Sequence, residues 1–349
     1  MVKVLFIWSD LRKPVGGAEY FLLDILKYHR NSSDFSYAYI KSDEIIKSLG
    51  SISKYDVIVV HSLNKILPAL PLLSMRAPVI IDVHSPDWLW YFREKVYDIR
   101  VKPETIMKRT YIKMLGKSLY CRLLNSFDYN TWGRNCREAF LIPNFVDTDV
   151  FKPVDEKYRD FTILVRYDLS FKGGFDVFLR ALRHLGESPW LNVAIIGRDV
   201  PKEVMAYMRR YVNNVYALGR VPRREELAQI YSRVHVTVIP SRYEGFPLTA
   251  LESLSCGTPI IMSDLPPTEW FLRDMSNFSV GTGLRFRPGD PRDLAEKIRF
   301  MHNIWRYEEH AYLGSIQLSR RVAEFYDMRR VVPLYIDMIR RVAYGGYVN

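Results

Sequence analysis

Short apolar runs rich in Val and Ile alternate along this chain with segments of helical period. In the first half the runs are KVLFIW, FSYAYI, DVIVVH, PVIIDVH and AFLIP. In the second half they are FTILVR, NVAIIG, NVYALG, HVTVIP, TPIIMS and SVGTGLRF. Between them lie amphipathic stretches such as AEYFLLDILKYH, ETIMKRTYIKMLGKSLYCRLL, GFDVFLRALRHL, REELAQIYSRV and DPRDLAEKIRFMHNI. Continuous apolar strands alternating with helices predict parallel sheets covered on both faces. The predicted fold class is therefore α/β, with a doubly wound sheet in each half.

A chain of 349 residues exceeds what one hydrophobic core usually organises, so two domains are expected. The stretch IPNFVDTDVFKPVDEKYRDF follows neither periodicity and reads as a linker. The expected partition is 1–152, 153–328, and a final helix over 329–349 returning to the N-terminal domain. Pro333 falls within that helix pattern and is expected to kink or end it.

Cys121, Cys136 and Cys256 are odd in number and widely spaced, which predicts buried thiols and no disulfide framework or zinc site. The longest apolar runs are too short to span a bilayer. The first run is followed by Asp10 with no small-residue cleavage site, so it reads as a strand. A cytoplasmic protein is the expectation. The formal charge is +11. Part of it is concentrated between Trp90 and Asn125, where nine basic residues face three acidic ones. Tyr111, Met114, Leu115 and Leu119 lie among these cations. Residues 91–125 are therefore either a solvated basic face or a peripheral contact with an anionic membrane surface. No RNA- or DNA-binding signature accompanies the charge, so nucleic acid is not an expected partner.

In open parallel sheets ligands sit beyond the carboxyl ends of the strands. The loop after KVLFIW carries Gly16 and Gly17 ahead of a helix, where amide N–H groups can meet an anion. The loop after PVIID carries His84, which by itself reads first as a satisfied core histidine and only second as a hydroxyl donor. His61, in VVHS, has the same ambiguity. After FTILV, Arg166 and Lys172 precede Gly173 and Gly174 and a helix, a pattern suited to a diphosphate. After HVTVIP comes SRYEGFPLTALE. Gly245 permits a tight turn, and Pro247 suits a first helical turn. The amides from Phe246 through Leu248 to Thr249 can then point at a phosphate. Glu244 and Glu252 flank them and suit sugar hydroxyls. Phosphate in the middle with polyols at each end describes a nucleotide-sugar.

Together these loops resemble the retaining glycosyltransferases of family 4, whose GT-B architecture has two Rossmann-like domains facing across a cleft. EGFPLTALE matches that family's paired-glutamate motif. Arg166 and Lys172 match its phosphate-binding pair, IPNFVDTDVFKP its interdomain segment, GGAE its first glycine loop, and SCGTPIIMSD the segment after the second glutamate. Val165 and Phe145 stand where the family usually has glycine.

The resemblance implies roles residue by residue. Arg166 and Lys172 would hold the diphosphate, Glu252 the ribose hydroxyls, and Glu244 and His84 the donor sugar. Gly17 would border the phosphate and acceptor, and Arg220 and Val221 the nucleobase. It implies a hexosyltransferase using a UDP- or GDP-linked donor and a glycan or lipid-linked acceptor, with neither cofactor nor metal. The DTD at 147–149 lies in the linker segment and reads as structural. An epimerase or a phosphorylase on the same fold, and a non-enzymatic nucleotide-binding module, are the alternatives.

Overall fold

The computed structural model describes residues 1–8, 17–28, 35–42, 44–61, 66–83, 114–277 and 279–345. The chain divides into two compact units. One comprises Met1–Asn144 with Arg329–Asn349, the other Phe145–Met328. The stretch from Phe145 to Lys152, read above as linker, belongs to the second unit.

The first unit holds β1 (Val2–Trp8), β2 (Phe35–Lys41), β3 (Val57–Val60), β4 (Val79–Asp82), β5 (Tyr120–Leu123) and β6 (Glu138–Leu141). They form one sheet in the order β2-β1-β3-β4-β5-β6, parallel throughout. Its described helices are α1 (Gly17–Tyr28), α2 (Ile45–Ser48), α3 (Leu70–Ser74) and α4 (Ser126–Trp132). Every residue of β3 and β4 is buried, as a strand covered on both faces requires.

One expectation fails here. The single helix read from ETIMKRTYIKMLGKSLYCRLL does not extend through its last residues, because YCRL is the inner strand β5, one strand in from the edge of the sheet. Short buried runs are ambiguous between helix and strand, and Arg122 made this one look amphipathic. In the fold Arg122 is fully buried, and its Nη1 donates to Asp82 Oδ1 at 2.7 Å. Its remaining donors go to the carbonyls of Ile142 and Pro143 and to Asn144 Oδ1. The guanidinium also stacks 4.2 Å from the Phe21 ring.

A second correction concerns sulfur. Cys121 and Cys136 form a disulfide, with Cα atoms 6.1 Å apart, while Cys256 is free and buried. Cys121 lies in β5 and Cys136 just ahead of its neighbour β6, a proximity that sequence spacing does not reveal.

The second unit holds β7 (Thr162–Tyr167), β8 (Ser188–Gly197), β9 (Val212–Gly219), β10 (Val236–Ile239), β11 (Ile260–Ser263) and β12 (Gly283–Phe286). The sheet order is β12-β11-β10-β7-β8-β9, again parallel. Helices α5 (Phe175–Leu185), α6 (Lys202–Met208), α7 (Arg224–Arg233), α8 (Leu248–Ser255), α9 (Pro291–Tyr307) and α10 (Glu309–Glu324) accompany it. α10 was not read from the sequence. In α9, Leu294, Ala295, Ile298, Met301 and Ile304 are buried at helical spacing. Each large apolar side chain contributes about 2 kcal/mol on burial. Asp290 caps that helix by accepting from the amides of Arg292 and Asp293, and Pro291 opens it. Val165 is fully buried in β7, paired with Val238 and Ile195, so the expected glycine position serves the core here. Phe145 is likewise buried.

The last helix, α11 (Met328–Ala343), runs through Pro333 without ending. It joins the first unit through Tyr335, which is fully buried and donates to Asp82 Oδ2 at 2.7 Å. Arg341 adds an ion pair to Glu138 at 2.5 Å.

Candidate active site

In an open parallel sheet the ligand crevice forms where successive connections leave to opposite sides. In the second unit that point is β7. The chain steps from β7 to β8 and β9 on one side, then returns to β10 on the other. The loops after β7 and β10 therefore lie side by side at the carboxyl edge. They are the loops that carry Lys172 and Glu244, and Arg166 stands at the end of β7 itself.

The two loops are joined by backbone as well as side chains. The amide of Arg242 donates to Lys172 O at 2.9 Å, and its guanidinium donates to Phe171 O at 3.0 Å. That guanidinium also forks Asp176 with bonds of 2.8 and 2.6 Å, and lies 4.5 Å from the Phe171 ring. Asp176 begins α5, where a carboxylate also meets the helix dipole. The Arg242 bond is the largest cause holding the Asp176 carboxyl below its usual range. Gly174 is left-handed at φ 67°, and a Cβ there would stand 2.0 Å from Pro240 O. Only glycine lets the β7 loop approach the end of β10 so closely.

Lys172 Nζ reaches Glu244 Oε2 at 3.6 Å and lies 5.4 Å from the Tyr243 ring. Both side chains of the ion pair are partly exposed. The predicted phosphate cation and the predicted sugar acid are thus neighbours. Gly245, Phe246 and Pro247 are buried. The Phe246 ring is part of the core, packed on Trp270, Phe271 and Tyr326 at 5.3 to 6.0 Å. Its contribution at the loop is therefore anchoring, and only its backbone remains on the ligand side of the prediction. Pro247 is the N-cap of α8 and has no side-chain acceptor for the first amides, which belong to Leu248 and Thr249.

Glu252 lies on the second turn of α8, partly buried. Its Oε2 accepts from the Tyr231 hydroxyl at 3.1 Å. Burial, then the charge of Glu252, raises the Tyr231 pKa well above the usual phenol value, while the charge of Arg166 acts in the opposite sense. Arg166 is thereby within electrostatic reach of the Tyr231–Glu252 pair. Arg166 itself is exposed at the end of β7. Next to it Gly197 ends β8 at φ 118°, where a Cβ would stand 3.0 Å from Tyr167 O and 3.5 Å from Arg166 Cγ. Arg220 and Val221 follow β9 two strands away from β7, on the same carboxyl edge.

In the first unit, Gly16 and His84 lie outside the described residues, and Gly17 is the first residue of α1. His61 follows β3, and its ring stacks on Trp8 at the end of β1 with centroids 4.1 Å apart. Most of the basic segment 91–125 also lies outside the described residues. Within its described part, Met114 is 75% exposed, but Leu119 and Arg122 are buried. These last two belong to the core and not to a surface facing lipid. Lys117 donates to Arg134 O at 2.7 Å. In the DTD segment, Asp147 Oδ1 accepts from the amides of Asp149 and Val150, and the Thr148 amide donates to Asp327 Oδ2 at 3.4 Å.

Arg242 and Tyr231 were not singled out from the sequence. Arg242 stands two residues before Glu244, a position that invited attention, but its pairing with Asp176 is long-range. Tyr231 lies on α7 in an ordinary amphipathic pattern.

Residues 147–315 match the family model described as glycosyl transferases group 1. That stretch is similar to the glycosyl transferases of that group. Over 96% of both chains, the protein is 21% identical to the GDP-mannose:cellobiosyl-diphosphopolyprenol alpha-mannosyltransferase of Xanthomonas oryzae. It is 26% identical to the N,N'-diacetylbacillosaminyl-diphospho-undecaprenol alpha-1,3-N-acetylgalactosaminyltransferase of Campylobacter jejuni, over 47% of this chain and 43% of that one. Several other curated relatives are spanned for less than half their length, between 27% and 48%. Among solved structures, Anabaena HepE in complex with UDP and glucose superposes with a TM-score of 0.72 at 14% identity, covering 97% of this chain and all of that one. The two six-stranded parallel sheets with flanking helices are those of the GT-B glycosyltransferases.

Proposed function

We propose that this protein is a retaining hexosyltransferase. It moves a hexose from a UDP- or GDP-linked donor to a hydroxyl of a glycan or lipid-linked acceptor. The observation that carries this reading is the adjacency of the β7 and β10 loops. Two cations, two carboxylates and a helix start gather at one strand-end crevice. The donor classes are supported by the UDP and glucose held by HepE and by the GDP-mannose in the Xanthomonas enzyme's name. Diphosphopolyprenol and diphospho-undecaprenol in two relatives' names support a lipid-linked acceptor.

In this reading Arg166 and Lys172 grip the diphosphate, Glu252 the ribose, and Glu244 the hexose. The acceptor hydroxyl attacks C1 from the face that the nucleotide leaves. The C1–O bond to phosphate breaks, the C1–O bond to the acceptor forms, and the acceptor proton passes to a phosphate oxygen. Arg166 and Lys172 stabilise the negative charge growing on the leaving group, the role that fixed cations serve in a transition state. Lys172 exchanges its Glu244 contact for phosphate, which releases the carboxylate to the sugar. The two cations supply the positive charge, so the proposed reaction is metal-independent.

Titration calorimetry with UDP, GDP, ADP and their hexose conjugates tests the donor. One nucleoside diphosphate is expected to bind, and Lys172→Ala to weaken it about tenfold or more, the loss of one charge-assisted contact. Transfer to a polyprenyl-diphosphate glycan, followed by NMR of the product, is expected to give the donor's anomeric configuration, unchanged by EDTA. Inverted product overturns the front-face reading. Peripheral association with the cytoplasmic face of a membrane is part of the proposal. Sedimentation with anionic vesicles tests it, and binding that salt does not reduce argues against an electrostatic contact.

A further inference from the structure

Beneath Glu252 lies a side chain with no assigned role in the reading above. Tyr231 is 1% exposed, and its hydroxyl donates to Glu252 Oε2 at 3.1 Å. The phenol is held from behind. Its ring meets Phe151 edge-on at 6.3 Å, and the backbone carbonyl of Tyr231 accepts from Thr258 Oγ1 at 2.6 Å. Thr258 Oγ1 in turn accepts from Lys157 Nζ. A phenol so enclosed cannot follow a wandering carboxylate, so the carboxylate is held by the phenol. Ionising it would place a second negative charge beside Glu252 in a buried site, so it remains a donor across the working pH range.

We infer that Tyr231 is the positioning residue that sets how strongly the site selects ribose over deoxyribose. This rests on the reading of Glu252 as the ribose anchor. A carboxylate offers about four lone-pair sites and no donor. The Tyr231 hydroxyl takes one of them and fixes the carboxylate's rotation before any ligand arrives. A vicinal diol then meets acceptors already in place, and no rotamer freedom is lost on binding. A nucleotide without those hydroxyls brings nothing to Glu252, so its affinity is indifferent to Tyr231. A tyrosine that served only packing would affect both ligands alike.

The test uses the full chain and calorimetry with UDP, GDP and ADP, each paired with its 2′,3′-dideoxy counterpart. For the nucleotide that binds, Tyr231→Phe is expected to weaken the ribose form about tenfold and leave the dideoxy form unchanged. Glu252→Gln is the control and is expected to erase at least as much of the ribose preference. A preference intact in Tyr231→Phe but lost in Glu252→Gln overturns the role of Tyr231 and leaves the Glu252 reading standing. Equal weakening of both ligands in Tyr231→Phe also overturns it, in favour of packing. A preference intact in Glu252→Gln, or no binding of any of the three, removes the reading and the inference together. Should Tyr231→Phe not fold, site-specific 3-fluorotyrosine at 231 supplies a stronger donor of the same shape. It is expected to raise the ribose preference, and an unchanged ratio counts against the proposal.

Discussion

The side chains that organise the crevice are, at the residue scale, different from those expected to touch the ligand. Arg242 is not among the residues expected to bind the ligand, yet its amide, its guanidinium donor and its stacking on Phe171 hold the Lys172 loop. Arg242→Ala is expected to lower kcat/KM about tenfold, chiefly through a higher donor KM. A double-mutant cycle with Asp176→Ala is expected to give a coupling of about 1 kcal/mol, modest because Asp176 is half exposed. Independent effects of the two changes in that cycle would remove the clamp. His235 illustrates a titration with a worked sign. It is buried against Phe161 and Trp305, its Nδ1 accepts from the Thr162 amide, and burial first, then the charge of Lys157, lowers its pKa to about 3. Between there and the ordinary value near 6.5 the unfolded chain binds a proton that the folded one refuses. Stability is therefore full above pH 6.5 and falls as the pH drops towards 3. From pH 6.5 to 4.5 the loss is expected to be about 2 kcal/mol by urea denaturation, and His235→Gln to remove most of that slope. His302, also lowered by burial, adds in the same direction.

At the scale of elements, the approach of one loop to another is decided by a glycine. Gly174→Ala would need a left-handed alanine and would drive a methyl into Pro240 O. It is expected to cost about 2 kcal/mol or more and to separate the β7 and β10 loops. Circular dichroism melts and donor affinity check this together. A variant that melts and binds like the wild type would show that the loops have room to spare. Strand β5 carries the opposite lesson. A charged residue in a buried strand is tolerated because Asp82, three backbone and side-chain oxygens and an aromatic face all satisfy it. Neither periodicity nor composition could identify β5, because its polar partner sits on another strand.

At the scale of the whole molecule, the chain leaves the first unit near Asn144 and re-enters it at Arg329. The returning helix α11 completes the first unit's core with Val331, Val332, Tyr335, Ile336 and Ile339. Removal of residues 329–349 is therefore expected to lower the melting transition of the first unit by 10 °C or more, on the order of several large buried side chains. The second unit's transition is expected to stay within about 2 °C by calorimetry, since its own core lies within Phe145–Met328. A shared shift of both transitions would contradict that division. Much of this architecture was legible beforehand. The alternation of apolar strands and helices specified two parallel sheets, because a strand covered on both faces must be apolar throughout. Glycines, paired cations and paired glutamates marked the loops where a ligand belongs, because strand ends are where backbone amides and side chains converge. What only tertiary structure decided are the long-range pairings: Tyr231 with Glu252, Arg242 with Asp176, Arg122 with Asp82, and Cys121 with Cys136. Each joins residues from separate parts of the chain whose separation carries no period, so only the packed fold brings the partners together.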